Sequence, residues 1–199
     1  MSIPLILASG SAIRAALLRQ ARVPFTVERP RLDEESIKRS FQAEGAAPRE
    51  IADALAEAKA MRVSSRAPGA FVLGCDQVLD FDGRILSKPE TREEARDQLS
   101  AMRGKRHNLL SAAVIAQDGQ PIWRHVGLVR LTMRDLSDAY LDDYLSRAWP
   151  GIGDSVGGYK LEEEGVRLFS AIDGDYHAVL GLPLIPLLTF LVTRGVIEA

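Results

Sequence analysis

Residues 3–21, IPLILASGSAIRAALLRQA, decide the fold. Ile3 to Ala8 is a short apolar run, read as a buried strand. Ser9-Gly10-Ser11 ends it. From Ala12 to Ala21 apolar residues recur at Ile13, Ala16, Leu17 and Ala21, the spacing of one helix face. Strand, glycine-containing turn and helix follow one another without a linker. The rest of the chain extends this alternation. Phe25 to Glu28 reads as a short strand, and Ser36 to Ala43 and Pro48 to Ser65 as helices. Ala70 to Leu79 is the most strand-like central segment. Asp82-Gly83 marks a hairpin into Arg84 to Leu86. Thr91 and Glu94 form a capping-box pattern opening a helix to about Met102. His107 to Gln117 and Pro121 to Met133 are strands joined by Asp118-Gly119. A helix over Ser137 to Arg147, a Gly-rich loop over Gly151 to Gly165, a strand over Val166 to Ile172 and a helix over Leu184 to Thr193 complete the chain. Helices between buried strands, with two hairpins, predict an α/β fold built on a mixed sheet.

The chain has 199 residues, 46% of them hydrophobic and 26% charged, with a net charge of −2. This suits one globular domain over 1–199 and excludes a disordered chain. No basic field invites nucleic acid. Cys75 is the single cysteine, and His107, His125 and His177 are scattered, so neither an internal disulfide nor a zinc finger is expected. The longest apolar stretch, Val179 to Val192, contains Pro183 and Pro186 and falls short of the roughly 20 residues that span a membrane. The N-terminus lacks the basic region of a signal peptide. A cytoplasmic location is expected. Arginine outnumbers lysine 20 to 5. Each of Lys38, Lys59, Lys88, Lys105 and Lys160 therefore stands out.

Five stretches could carry chemistry. In LASGSAIRAALL (7–18) the helix N-terminus, Ser9, Ser11 and Arg14 form an anion cradle. The plain alternative is that Ser11 caps the helix and Arg14 is solvated. In LGCDQVL (73–79) Asp76-Gln77 interrupts an apolar strand; a buried Asp binds a metal, pairs with a cation or acts as a base. Lys88, Lys105 and Lys59 could surround a polyphosphate, since an ammonium follows a moving phosphoryl group. Asp33-Glu34-Glu35 could supply Mg²⁺ ligands or merely begin a helix. DSVGGYKLEEEG (154–165) could wall a base pocket or be a surface loop. No G-x-S-x-G elbow, P-loop or G-x-G-x-x-G occurs.

In order, LASGSAIRAALL (7–18), Asp33-Glu34, ALAEAKA (54–60), GCDQVL (74–79), SKPETREEARDQLSAMRGKRH (87–107), LSDAYLDDYL (136–145), GGYKLEEEG (157–165) and GDYHAVLGLPL (174–184) resemble the Maf family, also called septum formation inhibitor Maf. The resemblance spans nearly the whole chain. It implies a nucleoside triphosphate pyrophosphatase that converts NTP and water to NMP and pyrophosphate, using Mg²⁺ or Mn²⁺. It implies an elongated, twisted mixed sheet with flanking helices and two lobes around a cleft, similar to the inosine-triphosphate pyrophosphatases. A homodimer is the family's usual state. Carried over by motif, Ser9, Ser11 and Arg14 hold the triphosphate. Glu34 is a metal ligand. Lys59, Lys88 and Lys105 are the site lysines. Asp76 is proton acceptor or metal ligand, and Gln77, which follows it, is a substrate-binding residue. Lys38 is the one lysine outside these motifs.

The chain departs from the family pattern at Ser87 (usually Gly), Ser111-Ala112 (Thr-Gly), Ser155-Val156 (Lys-Ala) and Ala178 (Asn). None of these removes a catalytic group. The branch preferring dTTP and UTP carries Arg before the helix arginine and Gln after the double Gly. This chain has Ile13, and Lys160 with Glu162 to Glu164, a pattern closer to the branch preferring 7-methyl-GTP. The expectation is a modified purine triphosphate. The competing expectation is a nucleotide-binding regulator of septum formation in which catalysis is dispensable.

Overall fold

The computed structural model describes residues 3–198. The ends of the expected 1–199 domain, Met1, Ser2 and Ala199, lie outside the described residues. Strand β1 (Leu5–Ala8) enters helix α1 (Ala12–Gln20), as the opening stretch predicts. Then come β2 (Thr26–Val27), α2 (Glu34–Ala43), α3 (Pro48–Ser64), β3 (Phe71–Phe81), β4 (Arg84–Leu86), α4 (Arg92–Met102), β5 (Arg106–Gln117), β6 (Gln120–Met133) and α5 (Asp138–Ala148). A 3₁₀ turn (Glu164–Leu168), β7 (Phe169–Asp173), α6 (Tyr176–Val179) and α7 (Leu184–Thr193) follow.

The described strands form one mixed sheet in the order β2-β1-β3-β5-β6-β7, with β4 paired to β3. β1 runs parallel to β2 and β3, and the remaining pairs are antiparallel. Both Asp-Gly hairpins form. Asp82 and Gly83 have φ of 51° and 77°, and Asp118 and Gly119 have 50° and 73°. Two successive positive φ values match the right-handed twist of the flanking strands.

Period-two alternation along β5 divides the core. Leu110, Ala112, Val114 and Ala116 pack with Ile51, Leu55 and Ala56 of α3. Leu109, Ala113 and Ile115 face the opposite layer, where α1, α4, α5 and α7 contribute Leu18, Leu99, Leu141 and Leu187. The same alternation on β3 sends Asp76, register partner of Ala112, toward α3. Gln77, opposite Ser111, takes the other face.

The strand expected over Val166 to Ile172 begins only at Phe169. Val166 is exposed and Leu168 is buried, although a strand would place both on one face. The bidentate grip of Arg147 on Glu164 (3.0 and 2.6 Å) and the tight approach of Gly165 to the Lys160 carbonyl hold this stretch in a helical turn.

Helix α3 reaches β3 through Gly74. A methyl group there would lie 2.1 Å from the Ala56 carbonyl oxygen and 2.6 Å from the Ala60 nitrogen. These are backbone atoms of α3 and cannot rotate away. Gly74→Ala is expected to push α3 off the sheet, destabilise the fold by about 3 kcal/mol and lower Tm by roughly 6–12 °C in thermal denaturation.

Candidate active site

A cleft of about 1260 Å³ opens beside the C-terminal end of β1. The β1–α1 turn, α2, α3, the middle of β3, the segment after β4 and the 153–163 loop all line it. At its floor the ammonium of Lys59 lies 2.7 Å from Asp76 Oδ1 and 2.7 Å from Glu34 Oε2. Lys59 and Asp76 are both buried, while Glu34 stays half open. A buried charge persists only when paired, and each partner here supplies the other's charge. Burial pushes the Asp76 carboxyl above its ordinary value, and Lys59 and Arg14 pull it part of the way back. Asp76 Oδ2 is left to receive a proton.

The β1–α1 turn forms as expected. Ser9 Oγ accepts from the Ser11 N–H at 3.2 Å, and Ser11 Oγ caps α1 by accepting from the Arg14 N–H. Ser9 to Ile13 line the cleft at the start of α1, so Ser11 is both the cap and part of the cleft wall.

Arg14 lines the cleft but is largely committed elsewhere. Its Nε donates to the Gly181 carbonyl (2.7 Å), and its Nη1 to the Cys75 carbonyl (3.0 Å) and Ser9 Oγ (3.4 Å). Gly181 has φ of +89°, and a Cβ there would lie 3.1 Å from the guanidinium. Glycine is needed for both reasons. Gln77 also lines the cleft, and its amide nitrogen is committed in the same way. Its Nε2 donates to the carbonyls of Ala178 (3.1 Å) and Val179 (2.9 Å) and to Ser111 Oγ (2.9 Å). Ser111 Oγ in turn donates to the Ala178 carbonyl at 2.6 Å. Two of the departing positions, Ser111 and Ala178, therefore meet in one network. It tethers the C-terminal turn, whose Val179 and Leu180 line the cleft.

Lys88 lines the cleft, and so do Ile13, Lys160, Glu162 and Glu163. Lys160 pairs with Asp154 at 3.0 Å. Glu164 is withdrawn by Arg147, which leaves Glu162 and Glu163 as the carboxylates of this run on the cleft wall. Lys105 does not join the site. Its ammonium lies 5.3 Å from the centre of the Phe81 ring, and it is absent from the cleft wall. Asp76 pairs with Ala112, and the seven residues back to Lys105 carry it about 20 Å along the sheet.

Sequence reasoning noted Lys38 among the scarce lysines but gave it no place in the site, whereas it lines the cleft from α2. Its spacing of four residues from Glu34 was the available signal. It also missed the role of His107. This side chain is buried, with Nε2 2.8 Å from the hydroxyl of Tyr159, a cleft residue.

The Maf-like protein family model matches residues 4–194. The chain belongs to the Maf family. It is 65% identical over the full length of both chains to a nucleoside triphosphate pyrophosphatase of Ruegeria pomeroyi. It is 48% identical to one from Caulobacter vibrioides, covering 96% of each chain. It is also 45% identical to the 7-methyl-GTP pyrophosphatase of Brucella suis, covering 94% of each. Each of the Maf motifs except 136–145 contributes residues to the cleft wall, the 87–107 stretch through Ser87 to Glu90 and not through Lys105.

Burial lowers the His107 pKa from 6.5 to about 4. The folded state therefore binds fewer protons than the unfolded state between those values. The contribution is intact above pH 6.5 and is lost as pH falls toward 4. Urea unfolding at pH 7 and pH 4.5 is expected to show a loss of about 2–3 kcal/mol from this group. His107→Gln, which cannot ionise, is expected to lose that much less on the same acidification.

Proposed function

We propose that this chain hydrolyses a nucleoside triphosphate between the α- and β-phosphates, releasing NMP and pyrophosphate. The observation that carries the reading is Asp76, a buried carboxylate whose proton affinity is raised and which is held by Lys59 at the floor of a nucleotide-sized cleft. The names of the Ruegeria and Caulobacter relatives support it.

The α1 N-terminus and Ser9-Gly10-Ser11 receive phosphate oxygens. Asp76 Oδ2 orients a water and takes its proton. The water oxygen bonds to the α-phosphorus as the bond to the bridging oxygen breaks. Lys59 fixes Asp76 in place and keeps it from turning away. Lys88 stabilises the charge growing on pyrophosphate.

Asp76 and Glu34 also fit a divalent cation such as Mg²⁺ or Mn²⁺. Each has one oxygen on Lys59; the spare Glu34 oxygen would hold the cation, and Asp76 Oδ2 can serve as ligand or as base. Among the described residues no group of three or more His, Cys, Asp or Glu forms a metal cage. Two carboxylates completed by phosphate oxygens and water is the arrangement Mg²⁺ takes. Bound there, the cation would neutralise phosphate charge and polarise phosphorus.

We further propose a modified purine such as 7-methyl-GTP as the preferred substrate. Ile13 gives an apolar wall, and Glu162 and Glu163 can attract a cationic methylated ring and accept its N–H groups. The name of the Brucella relative agrees.

With Mg²⁺, phosphate is expected only after a coupling pyrophosphatase is added; free orthophosphate without it would refute α–β cleavage. Asp76→Asn is expected to lower kcat by at least 100-fold. Across 7-methyl-GTP, GTP, CTP, dTTP and UTP, the methylated substrate is expected to have the highest kcat/KM. A tenfold lead for dTTP or UTP would reverse the base assignment alone.

A further inference from the structure

The cations around the cleft are unequally available. Lys59 carries two carboxylates, Lys160 carries Asp154, and Arg14 spends two of its donor nitrogens on backbone oxygens and Ser9. A triphosphate is highly anionic and needs charge not already neutralised. Among the described residues, the cleft lysines with no carboxylate within salt-bridge distance are Lys88 and Lys38.

Lys38 belongs to none of the family motifs. It lies one helical turn beyond Glu34 on α2, so both project from one face. Its partner is a neutral hydroxyl, Ser87 Oγ, across the cleft mouth. Ser87 stands where the family usually has glycine, immediately before Lys88. Lys38 is thus held at the residue next to Lys88, and neither ammonium has a carboxylate within salt-bridge distance. Like charges are tolerated in that arrangement when an anion occupies the gap. A hydroxyl holds an ammonium in place without neutralising it.

Helix α2 itself has no buried residue. It rests on α3 through half-buried Ile37 and Phe41 and is pinned by Glu34 to Lys59. Lys38 therefore contributes nothing to the core, and its long stem is free to follow a ligand.

We propose that Lys38 is a further substrate-binding residue, contacting the β- and γ-phosphates that leave as pyrophosphate, with Ser87 as its resting partner. This rests on the α–β cleavage reading. It extends that reading by assigning the pyrophosphate half of the site to Lys38 and Lys88, on opposite walls.

The test is calorimetric titration of the full chain with Mg²⁺-pyrophosphate and, separately, with GMP. Lys38→Met is expected to weaken pyrophosphate binding about 10–100-fold, leave GMP binding within twofold and leave Tm unchanged. Pyrophosphate affinity within twofold of wild type would overturn the proposal. Ser87→Ala removes the tether but keeps the charge, and should retain pyrophosphate affinity within about threefold. A loss equal to that of Lys38→Met would assign the effect to helix anchorage and overturn the proposal. In turnover, Lys38→Met is expected to lower kcat/KM for the triphosphate by the same factor as its pyrophosphate affinity. Failure of the wild type to cleave at the α–β bond would defeat the cleavage reading alone, because the titration measures pyrophosphate contact without turnover.

Discussion

The ion trio of Lys59 with Asp76 and Glu34 is the constraint around which the cleft is organised. It joins three elements, the central strand β3, the helix α3 laid across it and the exposed helix α2. A lysine buried on α3 could not exist without a carboxylate from the strand beneath, and Asp76 could not stay ionised in an apolar strand without the lysine. Gly74, two residues before Asp76 on the same face, removes the side chain that would keep α3 away. Glu34 then brings α2 to the cleft, although α2 has no core of its own. One close contact between helix and sheet thus positions the proposed base, the candidate metal ligands and the lightly packed helix that carries Lys38.

Alternation along β3 separates two duties. Asp76 faces α3 and the cleft floor. Gln77 faces the other way and holds the carbonyls at the end of α6. Arg14 holds the Gly181 carbonyl just beyond it. Carbonyls at the end of a short helix are short of helical partners, and these side chains add donors there. The back of the cleft is therefore closed by polar groups adjacent in sequence to the reactive ones. That explains why a motif can contain both kinds without distinguishing them.

Burial sets the acid–base character of this half of the molecule. It raises Asp76, lowers His107 and raises Cys75 to about 11. Cys75 is held as an inert thiol beside the base. His107 is held neutral under the Tyr159 wall. Asp76 alone among them lines the cleft, so it is the one whose shifted proton affinity can act on a ligand.

Much was determined by local sequence. The strand–turn–helix opening, both Asp-Gly hairpins and the capped helices depend on spacing and backbone preference within a few residues. Asp76 and Lys59 were legible because a carboxylate in an apolar strand and a lysine in an arginine-rich chain each violate a local expectation. The tertiary structure decided which charges remained free. Motif membership placed Lys105 with the site, but strand register carries it about 20 Å away. Arg14 and Gln77 both line the cleft, but the carbonyls that occupy their donors, at Gly181, Ala178 and Val179, lie a hundred or more residues further along the chain. Lys38 stood out only as one of five lysines, and folding gave it a place by setting Ser87 opposite it. The physical reason is common to all of these. A residue's chemical type is local, whereas its hydrogen-bond partners, and hence whether its charge is spent or available, are set by long-range packing.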